Sequence, residues 1–353
     1  MSATRHYLAL DGLRGVAALA VVSLHISEYF GLPAKPYHAY LAVDFFFMLS
    51  GFVIAHAYDD KLRQGMGVRS FLKARLVRLQ PLVLLGVALG AIVCLLRAGL
   101  GGFDMAGVLR AAIANMLLLP TPVLLAPFPS AFPLDVPLWS LAFEIWINLL
   151  YALFFKILTR FTLLLLLAVG ALLVLAVSLG DQGLNVGFEL HDFYLGGARV
   201  LFPFVMGVLL RRYAGSTQHM AWAHVMFVPL LLVLCAPSLG GGWFDIGAVL
   251  VVFPVILLVA SRAPVSRRLD PLWRQFGLLS YPVYVLHYPF VFILSKMLHL
   301  SHAGIAASWL MGLATIVLVV ILSALANRFY DVPVRAWVSG RLAMPPALAR
   351  VRP

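Results

Sequence analysis

Ten runs of mainly apolar residues follow one another along this chain, each near the length that crosses a ~30 Å hydrocarbon core as a helix, roughly 17 to 25 residues. They cover Leu8 to Ile26, Ala39 to Tyr58, Leu79 to Leu96, Pro137 to Leu158, Phe161 to Leu179, Leu195 to Leu210, Ala221 to Ala236, Trp243 to Ala260, Phe276 to Met297 and Ala303 to Ala326. Of the 353 residues, 63% are hydrophobic and 11% charged, far from the composition of a soluble domain. A backbone in hydrocarbon must satisfy its own polar groups. The expected fold is therefore all-α and polytopic, about ten transmembrane helices in one domain over residues 1–353 with its core at about 8–335. No repeat, low-complexity tract or linker divides the chain, and the 27 residues after Ala326 leave no room for an appended soluble domain.

Phe103 to Leu119 is an eleventh apolar run, interrupted by Asp104 and Arg110. If it crosses, every later loop changes side. If it does not, 21 Lys and Arg fall at the inner face and five at the outer, namely Lys35, Arg97, Arg110, Arg199 and Lys296. Translocation disfavours cations, so the ten-span arrangement with both termini cytoplasmic is preferred, and the setting is a cell inner membrane. Residues 101–136 then form an irregular outer segment, and its proline-rich TPVLLAPFPSAFPLDVP needs protein or a water-filled cavity to satisfy its backbone. The net charge of +12 reports orientation rather than a nucleic-acid partner. MSATRHYLAL lacks the pattern of a cleaved signal peptide, and Cys94 and Cys235 lie inside apolar runs, outside any disulfide framework.

An ionisable group deep in a bilayer costs about 2.5 to 3.5 kcal/mol on insertion scales, so each calls for a partner or a task. Arg14 lies toward the inner end of the first span and His25 toward the outer end. Eleven residues at 100° fall within about 20° of three turns, so both project to one side, roughly 16 Å apart along the axis. Asp44 of the second span and Glu144 of the fourth sit at the level of His25. Either carboxylate can fix the imidazole tautomer for general-base work. The alternative is a structural hydrogen-bond network, with Glu144 paired to Arg199. His287, among aromatics near mid-bilayer in the ninth span and flanked by Pro282 and Pro289, has the surroundings of a hydrogen-bonder between helices. Arg75 and Arg78 are neighbours on one helical face, a geometry that grips phosphate, or equally a solvated or lipid-headgroup rim. With Arg14 they suggest a polyanionic ligand entering from the cytoplasm.

GxSxG, the nucleotide P-loop, HExxH and paired CxxC are all missing, so a serine hydrolase, a P-loop nucleotidase and a metal site have no support. Intramembrane His, Asp and Glu would also suit a proton-coupled transporter of a small solute or glycan precursor. The usual signs of one, half-repeats and paired interrupted helices, are not visible.

Arg14 and His25 with ten residues between them, FFFMLSGFVI at Phe45 to Ile54, RLVRLQP at Arg75 to Pro81, PLWSLAFE at Pro137 to Glu144 and LSYPVYVLHYPF at Leu279 to Phe290 occur in one order. Together they resemble the integral-membrane acyltransferase family 3, which includes O-acetyltransferases of bacterial surface polysaccharides. NRFYDVPVR resembles its closing segment, with Asp331 where Glu is expected. The resemblance implies a buried site with acyl-CoA, acetyl-CoA in the first instance, as co-substrate from the cytoplasm. No cofactor is implied as tightly bound. The acceptor would be an outer hydroxyl of a surface glycan or exopolysaccharide precursor. It makes Arg14 and His25 the essential pair of the first span and Arg75 and Arg78 the donor-binding motif. It marks Asp44, Ser50, Gly51, Trp139, Ser140, Glu144, Ser280 and His287 as motif positions. A chain without an extracytoplasmic hydrolase-like domain resembles the stand-alone members, which transfer directly or hand over to a separate extracytoplasmic partner protein.

Overall fold

A computed structural model describes residues 7–98, 104–121, 129–214, 220–238, 241–264, 266, 268–300 and 304–342. The helices are α1 Leu8–Tyr29, α2 Ala42–Arg63, α3 Val68–Ala98, α4 Met105–Met116, α5 Leu138–Leu153, α6 Arg160–Ser178, α7 Phe193–Tyr213, α8 Phe227–Leu234, α9 Gly242–Gly247, α10 Phe253–Ala260, α11 Asp270–Leu300, α12 Ile305–Ala326 and α13 Val332–Arg341. A π-helical turn at Ala248–Val252 joins α9 to α10, and another at Asn327–Asp331 joins α12 to α13. Among the described residues the one β-type pairing is an isolated bridge between Ser130 and Glu189. The chain is an all-α polytopic membrane protein. Eight of its described helical stretches are long and apolar enough to cross a bilayer, and Leu138–Leu153 and Trp222–Leu234 are shorter apolar helices at two further expected spans.

The third and ninth spans are longer than their apolar runs. α3 starts at Val68 and carries RLVRLQP within the helix, and α11 starts at Asp270 and continues through Pro282 and Pro289. The fourth ends sooner than expected, at Leu153, where a 3-10 turn at Phe155–Ile157 follows. Within the outer segment, α4 is capped by the Asp104 carboxylate, which accepts from the Ala106 and Gly107 amides. Its 12 residues rise about 18 Å, short of a ~30 Å core. Residues 101–103 and 122–128, with Phe128 among them, lie outside the described residues.

Helix directions bear on whether α4 crosses. Gly12 abuts Trp273, Gly15 abuts Phe276, and His25 meets His287, so α1 and α11 run parallel. Asp44 meets Arg199, Gly51 abuts Phe204 and Asp59 meets Arg212, so α2 and α7 are parallel as well. Gly90 abuts Leu134 while Arg75 meets Glu144, so α3 and α5 are antiparallel. A crossing at α4 would reverse all three relations. Ten crossings, with α4 on one side, satisfy them together.

Small residues set how closely these pairs approach, as is common where helices pack in lipid. A Cβ on Gly12 would run into the Trp273 ring, and one on Gly51 would run into the Phe204 carbonyl oxygen. The motif position Gly51 thus has a packing reason: any side chain there would push α2 away from α7.

Candidate active site

The bundle holds a narrow cavity of about 100 Å³ bounded by α1, α2, α3, α5 and α11. Arg14, Arg75, Arg78, Ser50, Ser140, Glu144 and Ser280 all face it, so seven expected site residues from five helices converge. Arg14 donates from Nε to Ser280 Oγ at 2.8 Å and from Nη2 to the Gly277 carbonyl at 2.9 Å, and lies 3.2 Å from Asp11. Arg75, buried, donates from Nη2 to Glu144 Oε1 at 2.7 Å, and the Ser50 hydroxyl donates to the same oxygen at 3.0 Å. The Arg75 Nε–H has no partner among the described residues. Three guanidinium groups face two carboxylates, Asp11 and Glu144, which leaves the cavity cationic. Guanidinium groups suit phosphate through their fixed fork of donors. Among the described residues no cluster of three His, Cys, Asp or Glu has the geometry to hold a metal ion.

Phe46 and Tyr284 also line the cavity. Tyr284 Oη lies 2.7 Å from Ser140 Oγ. His287 follows less than one helical turn later, fully buried, and its Nε2 lies 2.9 Å from Nδ1 of the partly exposed His25. The tautomers follow from the carbonyls around them. His287 Nδ1 is 2.8 Å from the Tyr284 carbonyl oxygen and 3.1 Å from that of Val283, and a carbonyl only accepts. His287 Nδ1 therefore carries its proton, and in the neutral ring Nε2 is an acceptor. His25 must then donate from Nδ1, which leaves the lone pair of its Nε2 without a partner among the described residues.

This corrects the expectation that Asp44 or Glu144 orients His25. Asp44 is fully buried but occupied by Arg199, whose Nη2 lies 2.6 Å from Oδ2 and Nε 3.3 Å from Oδ1. Arg199 also donates to the Val186 and Tyr40 carbonyls and lies over the Trp139 ring, 5.1 Å from its centroid. Trp139 and Asp44 thus belong to a closed structural network. Nor does Glu144 pair with Arg199; it serves Arg75. The group that orients His25 is His287, whose surroundings had suggested a plain hydrogen-bonder between helices. Tyr284 and Phe46 were not singled out in the sequence, although Ser280, Tyr284 and His287 are spaced four and three residues apart and share one helical face. Asp331 is buried and paired with Arg335 at 2.7 Å.

The family profile described as "Acyltransferase domain", family 3, matches residues 7–328. "Protein 2 in picA locus" of Rhizobium radiobacter is 39% identical over 188 residues, which is 50% of this chain and 97% of that relative. No solved structure shows a significant match. The profile runs from the first residue of the described bundle to the end of α12 and takes in the arginine cavity and both histidines. The chain belongs to acyltransferase family 3 and is a membrane-embedded acyltransferase.

Proposed function

We propose that this protein transfers an acyl group, acetyl in the first instance, from cytoplasmic acyl-CoA to a hydroxyl of an extracytoplasmic surface glycan or exopolysaccharide precursor. His25 serves as general base. Both termini lie in the cytoplasm, in an inner membrane. The observation that carries this reading is the His25–His287 pair, which holds one basic nitrogen unprotonated and follows Tyr284, a lining residue of the cationic cavity, by less than one turn of α11.

Arg14, Arg75 and Arg78 hold the phosphates of the donor near the inner mouth, and the unpartnered Arg75 Nε–H is a ready donor. The pantetheine arm then runs along α1 from the level of Arg14 to that of His25, about 16 Å. A sugar hydroxyl arriving from the outer side gives its proton to His25 Nε2 as its oxygen attacks the thioester carbonyl carbon. The carbon–sulfur bond breaks, and His25 returns the proton to the departing sulfur, leaving an ester and free thiol. Throughout the cycle His25 Nδ1–H keeps donating to His287, so the transient imidazolium stays oriented and hydrogen-bonded. Base catalysis of this kind contributes about 10² to 10⁴ in rate.

The test uses purified protein, labelled acetyl-CoA and a glycan acceptor. His25→Ala should bind donor normally and transfer at least about a hundredfold more slowly. Near-normal turnover would remove His25 from the chemistry, and lost donor binding would reassign it to holding the thioester.

A further inference from the structure

The C-terminal ends of α2, α5 and α7 meet around the 3-10 turn Phe155–Ile157, and two hollows flank that turn. On one side lies a polar cleft of about 590 Å³, faced by Asp59 and Arg63 of α2, Lys156 of the turn and Arg211 and Arg212 at the end of α7. On the other lies an apolar groove of about 380 Å³ between α5, α6 and α7, faced by Leu150, Phe154, Ile157, Leu166 and Val205. Leu158 borders both.

The cations of the cleft are not equally engaged. Arg212 is held by Asp59 at 2.7 Å and by the Leu158 carbonyl at 2.8 Å, and Arg63 is held by Asp60 at 2.9 Å. Arg211 donates from Nε to His56 Nδ1 at 3.1 Å, and its terminal nitrogens have no hydrogen bond among the described residues. Lys156 is exposed and likewise without a partner there. Four cations against Asp59 and Asp60 leave the cleft positive, and among the described residues the Lys156 ammonium and the terminal nitrogens of Arg211 are open to an anion.

We propose that this paired cleft and groove is a binding site for one anionic phospholipid, with its phosphate headgroup against Arg211 and Lys156 and an acyl chain in the groove. A soluble anion would need only the cleft, and a neutral lipid only the groove. The contiguity of the two at Leu158, at the membrane level where helix ends and apolar helix faces meet, fits a molecule with both parts. Basic pockets between membrane helices take anionic headgroups in this way. The site is distinct from the donor cavity because α2 stands between them: Ser50, Val53 and Ile54 face the cavity, whereas Ala55, Asp59 and Leu62 face the cleft. The proposal does not depend on the acyl-transfer reading.

The test is native mass spectrometry of the full-length protein in detergent, titrated with phosphatidylglycerol and with phosphatidylcholine and no acyl-CoA. The wild type should retain one phosphatidylglycerol in preference to phosphatidylcholine. K156A/R211A should lose that preference by about five-fold per cation, about 25-fold together, while its melting temperature without added lipid stays near that of the wild type. R268A/R274A, on an exposed stretch elsewhere, should behave as wild type. Equal binding of the two lipids, or a preference retained by K156A/R211A, would overturn the proposal. So would glycerol phosphate binding as tightly as phosphatidylglycerol, which would leave the groove without a role. Displacement of phosphatidylglycerol by coenzyme A, with loss of coenzyme A binding in K156A/R211A, would assign the cleft to the donor instead.

Discussion

Two parallel helix pairs, α2 with α7 and α1 with α11, are built on one plan. Each closes through glycines that bring a backbone against its neighbour, Gly51 and Gly207 in the first and Gly12, Gly15 and Gly277 in the second. Each buries polar side chains at the contact. In α2–α7 each of these side-chain nitrogens and oxygens has a partner: both Asp44 oxygens meet Arg199, and Arg199 reaches two carbonyls besides. In α1–α11 the His25–His287 bond leaves His25 Nε2 with no partner among the described residues. Burial of a charge alone does not mark chemistry. What separates a strut from a site is an atom whose hydrogen-bonding capacity the fold leaves open.

If that contrast is right, mutations in the two pairs should fail in different ways. The largest effect is expected from Arg199→Ala, which strands the Asp44 carboxylate and should cost about 3 to 5 kcal/mol. It should show as lost folded protein in a thermal-shift or chemical-unfolding measurement. Asp44→Leu with Arg199→Met should recover much of that loss, since apolar replacement of a buried pair is often neutral. Turnover per folded molecule should stay near wild type in the double variant, and a hundredfold drop there would return Asp44 to the chemistry.

A smaller effect is expected at the cavity. Arg75→Gln keeps an amide to meet Glu144 but removes a charge from the donor path. Charged hydrogen bonds contribute about 1.5 to 3 kcal/mol, so donor affinity should weaken by about ten- to a hundredfold with little change in melting temperature. Unchanged affinity in a labelled acyl-CoA binding assay would make Arg75 a partner of Glu144 only.

The smallest perturbation tests sidedness. Ser130 is 6% exposed and a poor reporter of the outer segment, whereas Gln182, between α6 and α7, is exposed. In a background with Cys94 and Cys235 replaced, Gln182→Cys should react with an impermeant thiol reagent from outside the cell and leave activity intact. Labelling only after permeabilisation would invert the bundle.

Much of the fold can be read from the sequence because apolar length is a strong signal. The span limits differ from it where helices outrun the hydrocarbon. Val68 to Arg78 and Asp270 to Arg274 carry charges suited to a headgroup layer, so hydropathy stops while the helix continues. The convergence of Arg14, Arg75 and Arg78 could be read too, since it needs only a shared cavity. Partner choice was harder. Asp44, Glu144 and His25 share a depth, but depth along a helix does not give the direction a side chain faces. The pairs Asp44–Arg199, Glu144–Arg75 and His25–His287 join residues 155, 69 and 262 positions apart. They become visible only once helix neighbours are known.

The most direct test of the central claim replaces not the base but the residue that sets its tautomer. Glutamine at 287 offers an oxygen to accept from His25 Nδ1–H, whereas leucine offers nothing and lets the imidazole choose either tautomer or turn away. Single-turnover acyl transfer should be measured for His287→Gln and His287→Leu alongside donor binding and melting temperature. The account predicts transfer within about tenfold of wild type for glutamine and a loss of about 10² or more for leucine, the range of base catalysis itself, with donor affinity preserved in both. Equal transfer rates in the two variants would contradict it.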